Sequence, residues 1–335
     1  MHAIILDQYG PPADVLKIAD VARPIPNDHQ VLIKVHAAAV NPADYGCVDG
    51  TVRFMTGVFK PKRNRLGLDV AGRVLAVGDK VTQFKAGDEV YGACIRNPYT
   101  NSRAVWLYDF GSFAEYAISH EGALALKPKN LSFEQAAATP CTAWTALQGL
   151  RTFGKIQSGQ KVLVSSATGG VGTFAVQLAK AFDTEVTGVC STKNVELVRS
   201  LGADRVIDYT KEDYTKQARR YDMIFDSVGE HSFSALRQVL NPGGTIVVVA
   251  KRSSSFLDFV WRILAGTMRA KLLGDKIVVD YSKPSKEDLL LISDLLSAEK
   301  IRPVIEKQYH GLAEVPKAVQ HVKEGHAWGK VVITL

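Results

Sequence analysis

The residues best suited to chemistry in this chain are small ones, the run Ala167-Thr168-Gly169-Gly170-Val171-Gly172. It follows the apolar stretch Val162-Leu163-Val164-Ser165 and leads into Thr173-Phe174-Ala175-Val176-Gln177-Leu178-Ala179-Lys180, a helical pattern. Where a strand turns into a helix through glycines, the backbone can approach a ligand closely. The helix N-terminus then offers free N–H donors and the positive end of its dipole. That chemistry suits a pyrophosphate. Ala167 stands where G-x-G-x-x-G has its first glycine, and a glycine-rich match alone carries little; the strand-turn-helix setting gives it weight. The competing reading is a glycine turn that serves packing only.

The next predicted strand bears on which dinucleotide is bound. NAD-preferring folds place an Asp or Glu about 20 residues beyond the loop, on the ribose hydroxyls. Here the strand end reads Gly188-Val189-Cys190-Ser191-Thr192-Lys193-Asn194, without an acid. Ser191 and Thr192 can donate hydrogen bonds to a 2′-phosphate and Lys193 can neutralise it. NADPH is therefore the expected cofactor. The alternative is that Lys193 is merely an exposed residue in the first turn of a helix.

The elements that must position these residues fall into two patterns. The first third reads as strands and turns, such as Val31–His36 and Gly72–Val77, punctuated by Pro24, Pro26, Gly78-Asp79 and Gly87-Asp88. From about Leu131, helices alternate with short, nearly continuous apolar strands, the pattern of a parallel sheet buried on both faces. Strands are expected at Lys161–Ser165, Glu185–Val189, Arg205–Ile207, Met223–Asp226, Thr245–Ala250 and Lys276–Val279, with helices at Val171–Phe182, Lys193–Leu201 and Ser232–Leu240. Gly202 is a candidate helix C-cap. This α/β segment reads as a Rossmann-like doubly wound sheet. Helices at Lys286–Ala298 and Leu312–Glu324 precede a last strand, Lys330–Thr334, whose simplest partner is the N-terminal β-rich part.

At 335 residues, two domains are the default. Composition is that of an ordinary globular protein, with 46% hydrophobic and 22% charged residues. The net charge of +7 favours anionic ligands without naming one. The most basic run, Lys60-Pro61-Lys62-Arg63-Asn64-Arg65, reads as a solvated loop rather than a nucleic-acid patch. Cys47, Cys94, Cys141 and Cys190 are dispersed, as expected of a reducing compartment. With no apolar signal region after Met1 and no stretch long enough to span a membrane, a cytoplasmic location is expected.

Several further landmarks carry a family resemblance: Val40-Asn41-Pro42-Ala43-Asp44, Gly67-Leu68-Asp69-Val70-Ala71-Gly72, Gly87-Asp88-Glu89-Val90-Tyr91-Gly92, Thr142-Ala143-Trp144-Thr145-Ala146-Leu147, Leu201-Gly202-Ala203-Asp204 and Gly329-Lys330-Val331-Val332. With the glycine loop, they make the chain resemble the medium-chain dehydrogenase/reductase superfamily in its zinc-independent, quinone oxidoreductase-like branch. The resemblance implies a GroES-like catalytic domain from residues 1–122 and 284–335, a Rossmann NADP-binding domain over 123–283, an active-site cleft at their junction, and a homodimer. Zinc enzymes of the superfamily take a His ligand from a Gly-His-Glu segment, where this chain has Gly67-Leu68-Asp69. Their structural zinc needs four closely spaced cysteines, where it has only Cys94 between Val48 and Pro140. No metal is expected, and Cys141 reads as a packed residue rather than a nucleophile.

Without a Lewis acid, an activated double bond is the better hydride acceptor, and the family points to quinones and α,β-unsaturated carbonyls. Asn41 and Tyr45 are the candidate catalytic residues, Asn41 through its amide on cofactor or substrate and Tyr45 as proton donor. Packing is an equal reading for Tyr45, because relatives carry their Tyr or Lys one position later, at Gly46. Asp44 reads as an anchor for this loop. Positions carried over as cofactor contacts are Thr142 near the pyrophosphate, Tyr209 near the adenosine phosphate, and Val228, Gly229, Val249 and Ala250 beneath the nicotinamide ribose. The apolar, basic segment 256–273 could line the substrate cleft, pack in a subunit interface or touch a membrane surface. Competing functions are a zinc-free carbonyl or alcohol oxidoreductase, a non-catalytic NADPH-binding scaffold, and a binder of single-stranded RNA.

Overall fold

The computed structural model describes residues 1–96, 110–249, 267, 274–279, 282–325 and 327–335. Packing divides the chain into two units, Met1–Trp144 with Lys283–Leu335, and Thr145–Ser282.

In the first unit, β1 (His2–Leu6) and β2 (Leu16–Asp20) form an antiparallel hairpin. β3 (Gln30–Val40), β4 (Asp69–Val77), β5 (Glu89–Ala93), β6 (Tyr116–His120) and β7 (Leu124–Leu126) belong to a larger sheet. β3 is long because it serves two partners along one edge, β6 beside Gln30–Lys34 and the chain's last strand beside Ala37–Val40. Val31, Ile33, Val35, Val70, Val74, Val90 and Leu124 form the core against this sheet. β7 pairs with β5, and the helix Phe133–Ala137 packs on the same sheet. Those contacts carry the first unit to Trp144, past the residue 122 expected from the resemblance.

The second unit holds β8 (Lys161–Val164), β9 (Glu185–Cys190), β10 (Arg205–Asp208), β11 (Tyr221–Asp226), β12 (Leu240–Val248) and β13 (Lys276–Val279). Every pairing is parallel, in the spatial order β10-β9-β8-β11-β12-β13. Renumbered from its own first strand this is 3-2-1-4-5-6, the dinucleotide-binding order, with its reversal between β8 and β11. Val162, Leu163 and Val164 are fully buried, which is why the strands read as continuous apolar runs. The helix Gly170–Ala181 follows β8, and Gly202, at φ +97°, follows the helix Val195–Ser200 as its expected cap. β12 begins five residues earlier than Thr245.

The chain then returns to the first unit through the helix Lys286–Ser297, β14 (Ile305–His310), the helix Val315–Lys323 and β15 (Lys330–Thr334). β15 lies antiparallel to β3 and parallel to β14. The first unit is thus built from both ends of the chain.

Candidate functional site

In the second unit the glycine loop leaves β8 beside the strand-order reversal. Gly169 caps the helix at φ −65°, ψ 164°, and Thr173 N–H donates to its carbonyl at 2.9 Å. The N–H groups of the first turn therefore have no carbonyl within the helix to bond. Gly172 is required sterically: a Cβ there would stand 2.0 Å from the Ser166 carbonyl oxygen. Ser166 takes the left-handed conformation at φ +50°, a strained state for a non-glycine residue. Ala167 is tolerated where a glycine is usual because Gly188 lies opposite, and a Cβ on Gly188 would come within 3.0 Å of the Ala167 methyl.

The ends of the two central strands are clamped together. Ser165 Oγ donates to Asp226 Oδ1 at 2.8 Å, Ser227 N–H donates to Ser165 Oγ at 3.0 Å, and Ser227 Oγ donates to the Ser165 carbonyl at 2.7 Å. The same Asp226 oxygen accepts from Val228 N–H at 3.3 Å and Gly229 N–H at 3.0 Å. Val228, Gly229 and Val249 follow β11 and β12 on the carboxyl edge that carries the loop, where ligands of open α/β sheets bind. Ala250 and the segment 256–273, apart from Thr267, lie outside the described residues.

Further along that edge, Ser191, Thr192 and Lys193 leave β9 and Tyr209 leaves β10, and Tyr209 N–H donates to the Cys190 carbonyl at 3.0 Å. Tyr209 and Lys193 are exposed. Sequence reasoning missed Asp208. It closes β10 in register with Cys190 and accepts a hydrogen bond from Thr192 Oγ1 at 2.5 Å. Adjacency of the two strand ends is the signal that would have found it. Thr192 therefore spends its hydrogen inside the protein, contrary to its expected role as a phosphate donor. Bonds from Thr192 and Thr210 hold the Asp208 carboxyl down at about 2.

In the first unit, Asn41 caps the helix Pro42–Asp49, which carries Asp44 and Tyr45. Asn41 is 1% exposed, and its amide is committed inward. Nδ2 donates to the Ala39 carbonyl at 3.3 Å and to Asp69 Oδ2 at 2.9 Å, while Oδ1 accepts from Lys330 Nζ at 2.6 Å. Asn41 is placed to position the loop: both of its amide hydrogens are committed inward and its oxygen holds the Lys330 ammonium, so any contact with cofactor or substrate would fall to that oxygen's second lone pair. Lys330 also donates to the Val40 carbonyl at 3.1 Å and lies 3.3 Å from Asp69 Oδ2. Asp69 Oδ1 accepts from Cys141 N–H at 2.9 Å. Asp44 anchors the helix as expected, accepting from Asn41 N–H at 2.8 Å and Gly67 N–H at 3.0 Å. Burial pushes its carboxyl up to about 7.

Tyr45 is half-buried, and burial followed by the charge of Asp49 raises its phenol, so it stays protonated and able to donate. Thr142 is buried, its hydroxyl turned back to the Ala138 and Thr139 carbonyls at 3.2 Å each; its hydrogen is spent on the turn ahead of its helix. Leu68 is fully buried. Among the described residues, no three His, Cys, Asp or Glu side chains are grouped to hold a metal, and no helix is long and apolar enough to cross a membrane.

Fold and site together define a two-unit protein of the dehydrogenase/reductase class, with a dinucleotide-binding sheet inserted between the halves of a β-rich unit. Residues 27–129 match the alcohol dehydrogenase GroES-like domain model, and residues 201–333 match that of the zinc-binding dehydrogenases. The chain is 37% identical to a 2-methylene-furan-3-one reductase of Solanum lycopersicum and 36% identical to an NADPH-dependent alkenal/one oxidoreductase, chloroplastic, of Arabidopsis thaliana. Each match covers 99% of this chain and 79% of the relative. The solved quinone oxidoreductase of Coxiella burnetii superposes with a TM-score of 0.85 at 31% identity, over 100% of this chain and 99% of that one. The chain belongs to the medium-chain dehydrogenase/reductase superfamily, in its quinone oxidoreductase-like branch.

Proposed function

We propose that this protein is a zinc-independent, NADPH-dependent reductase that passes hydride to a quinone or to the β-carbon of an α,β-unsaturated carbonyl. The observation that carries the reading is the carboxyl edge of the second unit's sheet. There a sterically enforced glycine turn and a helix N-terminus stand beside the strand-order reversal, and the strand-end residues Ser191, Lys193 and Tyr209 follow further along the same edge. These groups fit a phosphorylated dinucleotide: N–H donors for the pyrophosphate, a hydroxyl and an ammonium for the 2′-phosphate. When bound, the nicotinamide supplies the hydride. Zinc independence rests on Leu68, an apolar buried side chain where zinc enzymes of the superfamily present a ligand.

Hydride addition to an enone leaves negative charge on the substrate oxygen, and a positioned phenol can meet it and return a proton. Tyr45 takes that role, with Asn41, Asp44, Asp69 and Lys330 holding its helix in place. The names of the relatives, an alkenal/one oxidoreductase and a quinone oxidoreductase, support the same substrate class. A homodimer and a cytoplasmic location complete the reading, the first on family resemblance and the second on the dispersed spacing of the four cysteines.

NADPH oxidation with a quinone panel and an enone, followed by product analysis, tests it. A saturated ketone from the enone is expected. An allylic alcohol would make the protein a carbonyl reductase, and tight NADPH binding without turnover on any acceptor would make it a scaffold.

A further inference from the structure

The exits of β9 and β10 hold charges of both signs. Asp208 accepts from Thr192 Oγ1 at 2.5 Å, Thr210 Oγ1 at 2.7 Å and Thr210 N–H at 3.1 Å, and Lys211 Nζ stands 3.4 Å away. The two threonine hydroxyls also touch, at 3.0 Å. Both can therefore satisfy the carboxylate at once, and neither keeps a hydrogen for an incoming anion. Ser191 differs: its Oγ accepts from Asn194 Nδ2 at 3.4 Å, which leaves its own hydrogen to donate. Lys193 carries an ammonium with no partner among the described residues.

A phosphate monoester needs donors and positive charge, whereas a ribose hydroxyl is also satisfied by an acceptor. Asp208 acts against the first and not against the second. It adds a like charge to the region, and it turns two donors into acceptors. We propose that Asp208 is the specificity-determining residue that limits the preference for NADPH over NADH, working against Ser191 and Lys193. The inference rests on the NADPH reading given above and sharpens it: the preference is the difference between two opposed groups on neighbouring strand ends.

The test compares the ratio of kcat/KM for NADPH to that for NADH in wild-type protein, Asp208→Asn, Asp208→Glu and Lys193→Ala. Asp208→Asn keeps a carbonyl acceptor for one of the two threonines, gives the other an N–H to accept, and removes the charge. It should raise the ratio by about three- to tenfold, through the KM for NADPH. The gain should shrink as salt is added, because Asp208, itself partly covered, lies at the surface among the exposed Thr192, Thr210 and Lys211. Asp208→Glu keeps the charge and should not raise the ratio. An unchanged or lowered ratio in Asp208→Asn, or an equal loss for both cofactors, would reduce Asp208 to a loop clasp and overturn the proposal. Lys193→Ala reports on the NADPH reading itself: a ratio lowered about tenfold supports it. A ratio that stays in place removes it, whatever Asp208→Asn does.

Discussion

Two clusters in this molecule, each holding a lysine and at least one aspartate, use them to opposite ends. In the first unit, Asn41, Asp44, Asp69 and Lys330 are buried, and nearly every polar atom of the set is bonded to backbone or to another member. In the second, Ser191, Thr192, Lys193, Asp208 and Thr210 sit at strand ends, with Thr192, Lys193 and Thr210 exposed and Ser191 and Asp208 partly covered. Burial makes the first cluster rigid and commits the Asn41 and Lys330 donors inside it, since an unpaired charge there would cost far more than at the surface. Exposure makes the second cheap to rearrange and open to a ligand, at the expense of determinacy. In the proposed function, recognition belongs to the second cluster and positioning to the first.

The sharpest way to break this contrast is Lys330→Met. It leaves the fully buried Asp69 carboxylate and the Asn41 amide oxygen without their ammonium, and loss of one partner of a buried ion pair costs about 3–5 kcal/mol. Denaturant unfolding should show that loss. The double variant Lys330→Met/Asp69→Asn should recover part of it, because the orphaned charge goes too. If Lys330→Met is as stable as wild type, the first cluster is not a structural lock.

A smaller effect belongs to Asp44, whose folded-state carboxyl is raised to about 7 from 3.8, chiefly by burial. The folded protein holds that proton more tightly than the unfolded chain does. Its contribution to stability is therefore complete below about pH 4 and is lost as pH rises to about 7. His36 and His120, lowered by burial, act in the opposite direction on acidification, so the comparison has to be between variants. The thermal midpoint of wild type relative to Asp44→Asn should fall between pH 5 and pH 8. A difference that does not change with pH would mean that Asp44 stays ionised when folded.

Much of the second unit was legible in the sequence, because a strand buried on both faces announces itself as a continuous apolar run; β8, buried at Val162, Leu163 and Val164, ends one residue short of the expected Ser165. The glycine loop was legible for a similar reason, since small residues stand where no Cβ fits. The first cluster was not. Asn41, Asp69 and Lys330 are far apart along the chain and meet only because β4 and β15 both pair with the end of β3, and a buried amide looks in sequence like an available one. Asp208 was hidden the same way. The acid absent from the end of β9 is supplied by the next strand over, and only the β9–β10 register brings it to Thr192.

The remaining contrasts lie within the exposed cluster. Lys193→Ala should leave stability within about 0.5 kcal/mol of wild type, as exposed substitutions generally do, while weakening NADPH and sparing NADH. Thr192→Val has the smallest expected effect and the most pointed one. If Thr192 donated to the 2′-phosphate, its loss would fall on NADPH alone. Because its hydrogen is committed to Asp208, the variant should instead loosen the clasp between the two strand ends. That costs about 0.5–1.5 kcal/mol for a lost hydrogen bond, and the modest rise in dissociation constant should be the same for NADPH and NADH in fluorescence titrations. A loss confined to NADPH would show that the hydroxyl turns outward when the phosphate arrives, and the division between a committed Thr192 and an available Ser191 would fail.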